Sequence, residues 1–283
     1  MNQSNRPRAT RVLTALGKSL AYLALFLGFQ LLVYLFLMLT FTSAQLLSTG
    51  TLDLLQLTRQ LLDASVAVSL VSGLLTLLFL LVFFAARKKH PLAEIELRPV
   101  PAGTAAAGAA IALLLYAGVS LVLSLLPAPW LEDYAQASAA LSDLSILSFV
   151  AVALVAPTVE EVVFRGLIQS RLARAMPGWP AVLIASVLFA LCHGQPVWMG
   201  YAFCLGLVLG AMAWRAGSIL PGILTHFVFN AIGQLLTLPQ LAQANGLVVL
   251  AVLAGVGVLA CLLARKGLRT LFFPHGKEPE SHV

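Results

Sequence analysis

Residues 19–42 read SLAYLALFLGFQLLVYLFLMLTFT, a run of 24 residues without a charged side chain. A helix of about 20 apolar residues crosses the hydrocarbon core of a bilayer, so this run predicts a membrane span. Arg6, Arg8, Arg11 and Lys18 precede it. Because a secretory signal peptide has a shorter apolar core, of roughly 7–15 residues, we expect a retained transmembrane helix.

Similar apolar runs recur along the whole chain. Of the 283 residues, 60% are hydrophobic and 10% are charged, whereas a soluble globular domain carries about 25% charged residues. So few charges exclude a water-covered globular surface, and so many apolar residues exclude a disordered chain. The runs predicted to span the membrane are 19–42, 64–86, 103–126, 144–175, 180–193, 197–214, 218–236 and 246–264. The predicted fold class is all-α, a polytopic transmembrane helical bundle with about eight spans.

Positive charges are distributed unevenly between the two ends of these spans. If the N-terminus is cytoplasmic, the outer segments contain Arg59 as their only cation, and the other Lys and Arg residues lie in inner segments. Cytoplasmic loops carry an excess of Lys and Arg, so both termini are predicted to be cytoplasmic. The net charge of +6 is therefore assigned to topology and to contact with membrane lipids, and no nucleic-acid partner is expected.

Three charged side chains interrupt the fourth predicted span, in the sequence EEVVFR from Glu160 to Arg165. Glu161 and Arg165 are four residues apart and share a helix face, where they can pair, whereas Glu160 points about 100° away from Glu161. Ionisable groups inside a span are costly and mark a functional site by default. The alternative, that this patch is the cytoplasmic end of the helix, is disfavoured because Arg171 and Arg174 are better placed at that interface.

Further polar residues occur in two neighbouring spans. His193 ends the fifth run, and His226 and Asn230 lie four residues apart in the seventh. At 1.5 Å per residue from the cytoplasmic edge, the depths are about 20 Å for His193, about 12 Å for His226, about 18 Å for Asn230 and about 21 Å for Glu160. We expect an intramembrane polar cavity between spans four, five and seven that is open to water on one side. In span six, Gly206 and Gly210 form a GxxxG pattern, which favours close helix packing.

These residue types point to hydrolysis. A glutamate acts as a general base on water, and His and Asn side chains donate to a developing oxyanion. Glu160, His193 and His226 also have the composition of a catalytic zinc set, although no HExxH motif is present. The residues therefore leave metal-free and metal-dependent hydrolysis open. A proton-coupled transporter is a further alternative, although we find no inverted repeat.

The motifs resemble those of the CPBP family, the CAAX-protease and bacteriocin-processing (Abi) group of intramembrane endopeptidases. The resemblance covers about residues 149–236, and each motif is specific only in combination with the other two. The family's EExxxR, FxxxH and HxxxN motifs stand here as Glu160, Glu161 and Arg165, then Phe189 and His193, then His226 and Asn230.

The resemblance implies that glutamate-activated water attacks a peptide carbonyl. The implied roles are general base for Glu160, positioning of the water for His193, oxyanion stabilisation for His226 and Asn230, and support of the site's electrostatics for Glu161 and Arg165. It implies either no cofactor or a divalent metal such as zinc. The partner is expected to be a peptide or protein substrate of unknown identity. Some family members are immunity proteins or scaffolds, and this remains an alternative.

The compact chain with short loops is typical of a bacterial protein, so we expect it in the bacterial cytoplasmic membrane, where a prenylated substrate is less expected. Three parts are predicted. Residues 1–143 form the N-terminal spans one to three with their leader and outer loops, 144–240 form the catalytic core with spans four to seven, and 241–283 form the last span and the cytoplasmic tail.

Overall fold

The computed structural model describes residues 7–139, 145–236 and 246–272, and every regular element in these ranges is helical. The helices are α1 (Arg8–Thr49), α2 (Leu54–Asp63), α3 (Ser65–Ala86), α4 (Pro91–Glu94), α5 (Ala102–Ser124), α6 (Ala128–Ala139), α7 (Ile146–Ala173), α8 (Gly178–Leu191), α9 (Pro196–Ala216), α10 (Leu220–Leu236), α11 (Gly246–Leu263) and α12 (Arg265–Phe272). The all-α prediction is confirmed.

Six helices in the described ranges are long and apolar enough to cross a membrane, namely α1, α3, α5, α7, α9 and α11. The fifth and seventh predicted spans form α8 and α10, which are apolar but have only 14 and 17 residues. A helix of 17 residues is about 26 Å long, whereas the hydrocarbon core is about 30 Å thick. The total of eight crossings and the side on which the termini lie therefore stay predictions.

Several basic segments lie together at one end of the bundle. Arg171, in the last turn of α7, places Nη2 2.6 Å from Oε2 of Glu94 in α4, and Lys89 Nζ lies 2.9 Å from the other oxygen of the same carboxylate. Arg174 pairs with Glu96 at 2.5 Å. The loop after α3 and the end of α7 thus share one end of the molecule, as the distribution of positive charges predicts.

Helix α7 carries the first motif through the protein core, and its stretch Glu161–Gln169 is buried at every residue. Two parts of α7, Val150–Val155 and Glu161–Gln169, are wound as π-helix, a conformation that is often found at functional sites. Pro157 lies between them, in the α-helical segment Ala156–Glu160. Because proline has no N–H group, it interrupts the hydrogen-bond ladder of the helix at this point.

Aromatic side chains link α7 to its neighbours. The ring of Phe164 packs edge-on against Phe26 of α1, with centroids 5.9 Å apart, and against Phe189 of α8 at 5.2 Å. Such pairs contribute about 0.5–1.5 kcal/mol each beyond the area that they bury. Helix α9 approaches α8 closely at Gly206, where a Cβ atom would lie 3.1 Å from Cβ of Ser186. The close packing predicted from the GxxxG pattern is present.

Candidate active site

A cavity of about 640 Å³ lies beside α7, and all four polar residues predicted to face such a space line it. They are Glu160 of α7, His193 just after α8, and His226 and Asn230 of α10. The expectation of a polar cavity between these three helices is confirmed. The cavity is larger than the sequence indicated, because α1, α2, α3, α5, α6 and α9 also contribute to its walls.

His226 stands between the two adjacent glutamates. Its Nδ1 lies 3.3 Å from Oε1 of Glu161, and its Nε2 lies 3.7 Å from Oε2 of Glu160. An ionised carboxylate only accepts hydrogen bonds, so Nδ1 donates to Glu161. The Glu160 side chain keeps 21% of its surface exposed toward the cavity, whereas Glu161 is fully buried. Neighbours in sequence therefore occupy different environments, as their 100° separation around the helix predicts.

Glu161 and Arg165 form the ion pair that their spacing predicts. Their side chains are fully buried, with Nη1 of Arg165 2.7 Å from Oε1 of Glu161. Nη2 of Arg165 donates to the carbonyl of Gly206 at 3.1 Å, and the guanidinium lies 4.4 Å from the ring centroid of Phe189. A Cβ at Gly222 would lie 2.7 Å from Oε2 of Glu161, so the glycine of α10 provides the space for the buried carboxylate.

His193 is held by the carbonyl of the residue one turn earlier. Its Nδ1 lies 2.9 Å from the Phe189 carbonyl oxygen. Since a carbonyl only accepts hydrogen bonds, Nδ1 is the donor. The imidazole also packs against the Phe189 ring with centroids 4.7 Å apart. These two contacts orient the ring and leave Nε2 available for another partner.

Asn230 interacts with the interrupted part of α7. Its Nδ2 donates to the Val152 carbonyl at 2.9 Å. In this π-helical stretch the N–H of Ala156 bonds to the carbonyl of Ala151, five residues earlier. By the same pattern the partner of the Val152 carbonyl would be residue 157, which is a proline and has no N–H. The Asn230 amide thus donates to the Val152 carbonyl in place of the N–H that Pro157 lacks, and the second N–H of this amide remains available.

Gln169 is a site residue that sequence reasoning missed. It lies one turn after Arg165, is nearly fully buried, and donates from Nε2 to the carbonyl of Gly210 at 2.8 Å. The carbonyls of Gly206 and Gly210 thus each accept a hydrogen bond from a side chain of α7. The available signal was the spacing, because Gln169 continues the polar face of Glu161 and Arg165 at four-residue intervals.

An aromatic part of the cavity wall was also missed. Tyr134 of α6 packs edge-on against Trp198 and Tyr201 of α9, with centroids 6.1 and 6.3 Å apart, and all three residues line the cavity. Trp198 and Tyr201 lie in an apolar run and Tyr134 lies in a predicted outer loop, where an aromatic residue carries no distinct functional signal.

The metal-dependent alternative concerns the side chains of Glu160, His193 and His226. Within the ranges that the structure describes, no three His, Cys, Asp or Glu residues are placed to hold a metal ion. The set considered from the sequence, Glu160, His193 and His226, is therefore not assembled as a three-ligand site. Nδ1 of His193 contacts the Phe189 carbonyl and Nδ1 of His226 contacts the Glu161 carboxylate, contacts that histidines also make when their other ring nitrogen binds a metal.

The fold is that of an integral membrane protein, and Glu160, His193, His226 and Asn230 line a cavity within its helical bundle. Residues 142–232 match the family described as Rce1-like, type II CAAX prenyl endopeptidase. This segment contains all three motifs, and the match confirms the resemblance to the CPBP/CAAX protease family. It supports a CAAX-type peptidase in a membrane. No curated protein and no solved structure matches the chain.

Proposed function

We propose that the protein is an intramembrane endopeptidase that cleaves a peptide bond with water activated by Glu160. The carrying observation is that Oε2 of Glu160 and Nε2 of His226 face each other at 3.7 Å in the wall of the cavity of about 640 Å³. This separation is longer than a direct hydrogen bond. Both atoms therefore remain available to further partners, which we take to be the nucleophilic water for Glu160 and the substrate carbonyl for His226.

The reaction needs one base that later acts as an acid. Glu160 takes a proton from the water while the water oxygen bonds to the carbonyl carbon. The C–N bond then breaks, and the proton held by Glu160 moves to the leaving nitrogen, which yields a carboxyl group and an amine. Nε2 of His193 accepts a hydrogen bond from the same water and orients it for attack.

Two donors stabilise the negative oxygen that forms on the carbonyl. One is the second N–H of Asn230, whose first N–H is held by Val152. The other is Nε2–H of His226. With Nδ1 donating to Glu161, this ring is then an imidazolium whose charge the buried Glu161 carboxylate stabilises, while Arg165 balances that carboxylate. The ion pair thus acts through His226 and does not touch the substrate.

The charge of the cavity favours a class of substrate. Among the described residues, Glu160 is the one carboxylate in its lining and no Lys or Arg contributes to it. A substrate carboxylate close to the scissile bond would enter beside Glu160, and the one cation proposed there, the imidazolium of His226, is already paired with Glu161. A carboxylate without a partner of its own is costly to desolvate. We therefore propose that the segment bound next to the scissile bond is neutral or cationic.

The proposed setting is the bacterial cytoplasmic membrane with cytoplasmic termini. Residues of α2 and α6 line the cavity, and these helices lie at the end opposite to the basic segments. In that orientation the substrate enters from the outer face. Reporter fusions at the N-terminus and within the α5–α6 connection test this, and a cytoplasmic α5–α6 connection contradicts it.

The decisive experiment is a cleavage assay of the purified protein on a peptide library, with products read by mass. The library includes CAAX peptides with and without a prenyl group, and matched peptides with a free or an amidated C-terminus three residues after the scissile bond. We expect cleavage, with the amidated peptides preferred. Glu160→Gln is expected to lower kcat by at least about 100-fold, the scale of general-base catalysis.

Glu132→Gln, which neutralises an exposed carboxylate, is the matched control and is expected to cleave normally. A folded Glu160→Gln variant with wild-type rates would contradict the proposal. A chelator arm addresses the metal-dependent alternative. We expect the cleavage activity to be unchanged by the chelator. If the chelator abolishes cleavage and added zinc restores it, the metal-dependent alternative is favoured.

A further inference from the structure

A second cavity, of about 200 Å³, lies where α1 begins and α7 ends, away from the site around Glu160. We refer to it as the basic cavity. Five cationic side chains and one carboxylate line it, namely Arg11, Lys18, Lys89, Arg171, Arg174 and Glu94.

The carboxylates at this end neutralise only part of that charge. Glu94 is already shared between Lys89 and Arg171, and Arg174 pairs with Glu96. Arg11 and Lys18 form no ion pair within the part of the chain that the structure describes. Like charges gathered around a small cavity repel one another, so an anion that enters it gains from several cations at once.

Arg11 adds an observation that points to a ligand. Its Nε is buried and has no hydrogen-bond partner among the described residues. Buried donors are nearly always satisfied, by protein, water or a bound group. Thr14, which also lines the basic cavity, stands three residues after Arg11 and four before Lys18, so α1 presents two cations and a hydroxyl on one face.

The surroundings favour an anion that carries an apolar part. Leu32 and Phe36 lie 18 residues, or five helical turns, after Thr14 and Lys18 and therefore on the same face of α1. Both are among the exposed large hydrophobic residues, and α1 is one of the helices that can cross the membrane. The basic cavity therefore lies at the boundary between the charged end of the bundle and its lipid-facing surface. Basic pockets between transmembrane helices bind the headgroups of anionic lipids in this position.

We propose that the basic cavity binds the phosphate of an anionic phospholipid, with Arg11 and Lys18 as its principal cationic ligands. The acyl chains lie along the exposed apolar surface of α1. Arg171, held by Glu94, forms the inner wall of the site. This proposal does not depend on the peptidase activity.

Binding is measured on the full chain in nanodiscs or by native mass spectrometry, with phosphatidylglycerol, phosphatidylcholine and inorganic phosphate as separate probes. We expect wild-type protein to retain phosphatidylglycerol in preference to phosphatidylcholine. Arg11→Gln/Lys18→Gln is expected to weaken that retention by about tenfold or more, given the contribution of each cation near an anionic headgroup. Arg11→Lys/Lys18→Arg, which keeps both charges, is expected to retain most of it.

Arg87→Gln/Lys88→Gln is the matched control. Both residues are exposed at the same end, neither lines the basic cavity, and the change in net charge is the same. Equal losses in the two double variants would overturn the proposal, because the effect would then be one of overall charge. Equal retention of the two lipids, or displacement of phosphatidylglycerol by millimolar inorganic phosphate, would overturn it too. If Arg11→Gln/Lys18→Gln does not fold, Lys18→Gln alone is compared with Lys88→Gln alone, since both residues are exposed and each substitution removes one charge.

Discussion

Replacement of Arg165 by methionine tests the buried ion pair that supports the site. Methionine keeps an unbranched side chain but removes the guanidinium. Three interactions are lost, namely the 2.7 Å contact with Glu161, the hydrogen bond to the Gly206 carbonyl and the contact with the Phe189 ring. The Glu161 carboxylate remains fully buried, with His226 as its other partner.

The expected cost follows from burial of the remaining charge. Removal of one partner of a buried pair destabilises a protein by about 3–5 kcal/mol, whereas replacement of both partners by uncharged residues is often close to neutral. Arg165→Met is therefore expected to cost about 3–5 kcal/mol. The double variant Glu161→Gln/Arg165→Met is expected to be more stable than Arg165→Met alone, so the two substitutions are not additive.

Unfolding in mixed micelles of increasing SDS content, followed by far-UV circular dichroism, measures these free energies where the transition is two-state. Arg59→Met, at an exposed position of α2, is the control and is expected to stay within about 0.5 kcal/mol of the wild type. If the double variant loses as much free energy of unfolding as Glu161→Gln and Arg165→Met lose together, the reasoning is refuted.

Three further outcomes are expected. Pro157→Ala restores a backbone N–H near the carbonyl that Asn230 occupies, so we expect kcat to fall by about tenfold, and wild-type kcat would contradict this role of the proline. Gly166→Ala places a Cβ against the backbone carbonyl oxygen of Ile95 and is expected to lower the melting temperature, whereas Gly118→Ala, with no atom within 4 Å of the added Cβ, is expected not to. Burial raises the pKa of Glu94, but the hydrogen bond from the neighbouring lysine and the nearby arginines outweigh it, so the pKa is lowered from 4.5. The ionised Glu94 carboxylate therefore stabilises the fold above about pH 4.5, and this contribution is lost as the pH falls through the lowered pKa. In Glu94→Gln the free energy of unfolding is expected to lack this loss at acid pH. An unchanged dependence of stability on pH would contradict the prediction.

Much of the site was predictable from local spacing. The four-residue separation of Glu161 and Arg165 predicts their pairing, and the angular offset of Glu160 predicts that it points elsewhere. Both follow from helix geometry, which is a property of a few consecutive residues. The depth of His193 and Asn230 relative to Glu160 follows in the same way from the rise per residue.

Other features depend on which helices meet. Asn230 bonds to the Val152 carbonyl and Gln169 to the Gly210 carbonyl, across separations of 78 and 41 residues in the chain. Apolar periodicity states that a helix is buried but not which partner it has. The π-helical winding of α7 on both sides of the segment that contains Pro157 is likewise not indicated by apolar periodicity.

The sequence by itself determined that this is an all-helical membrane protein and singled out the residues that we propose to carry its chemistry. The consecutive residues of an apolar run determine whether it enters a bilayer and how costly a charge within it is. Only the tertiary structure decided that α1, α2, α3, α5, α6 and α9 help to enclose the cavity, that Glu161 and Arg165 lie behind it, and that cations from α1 and α7 surround a second cavity. Those features depend on the distances between helices, which are determined by side-chain packing between segments that are remote in sequence.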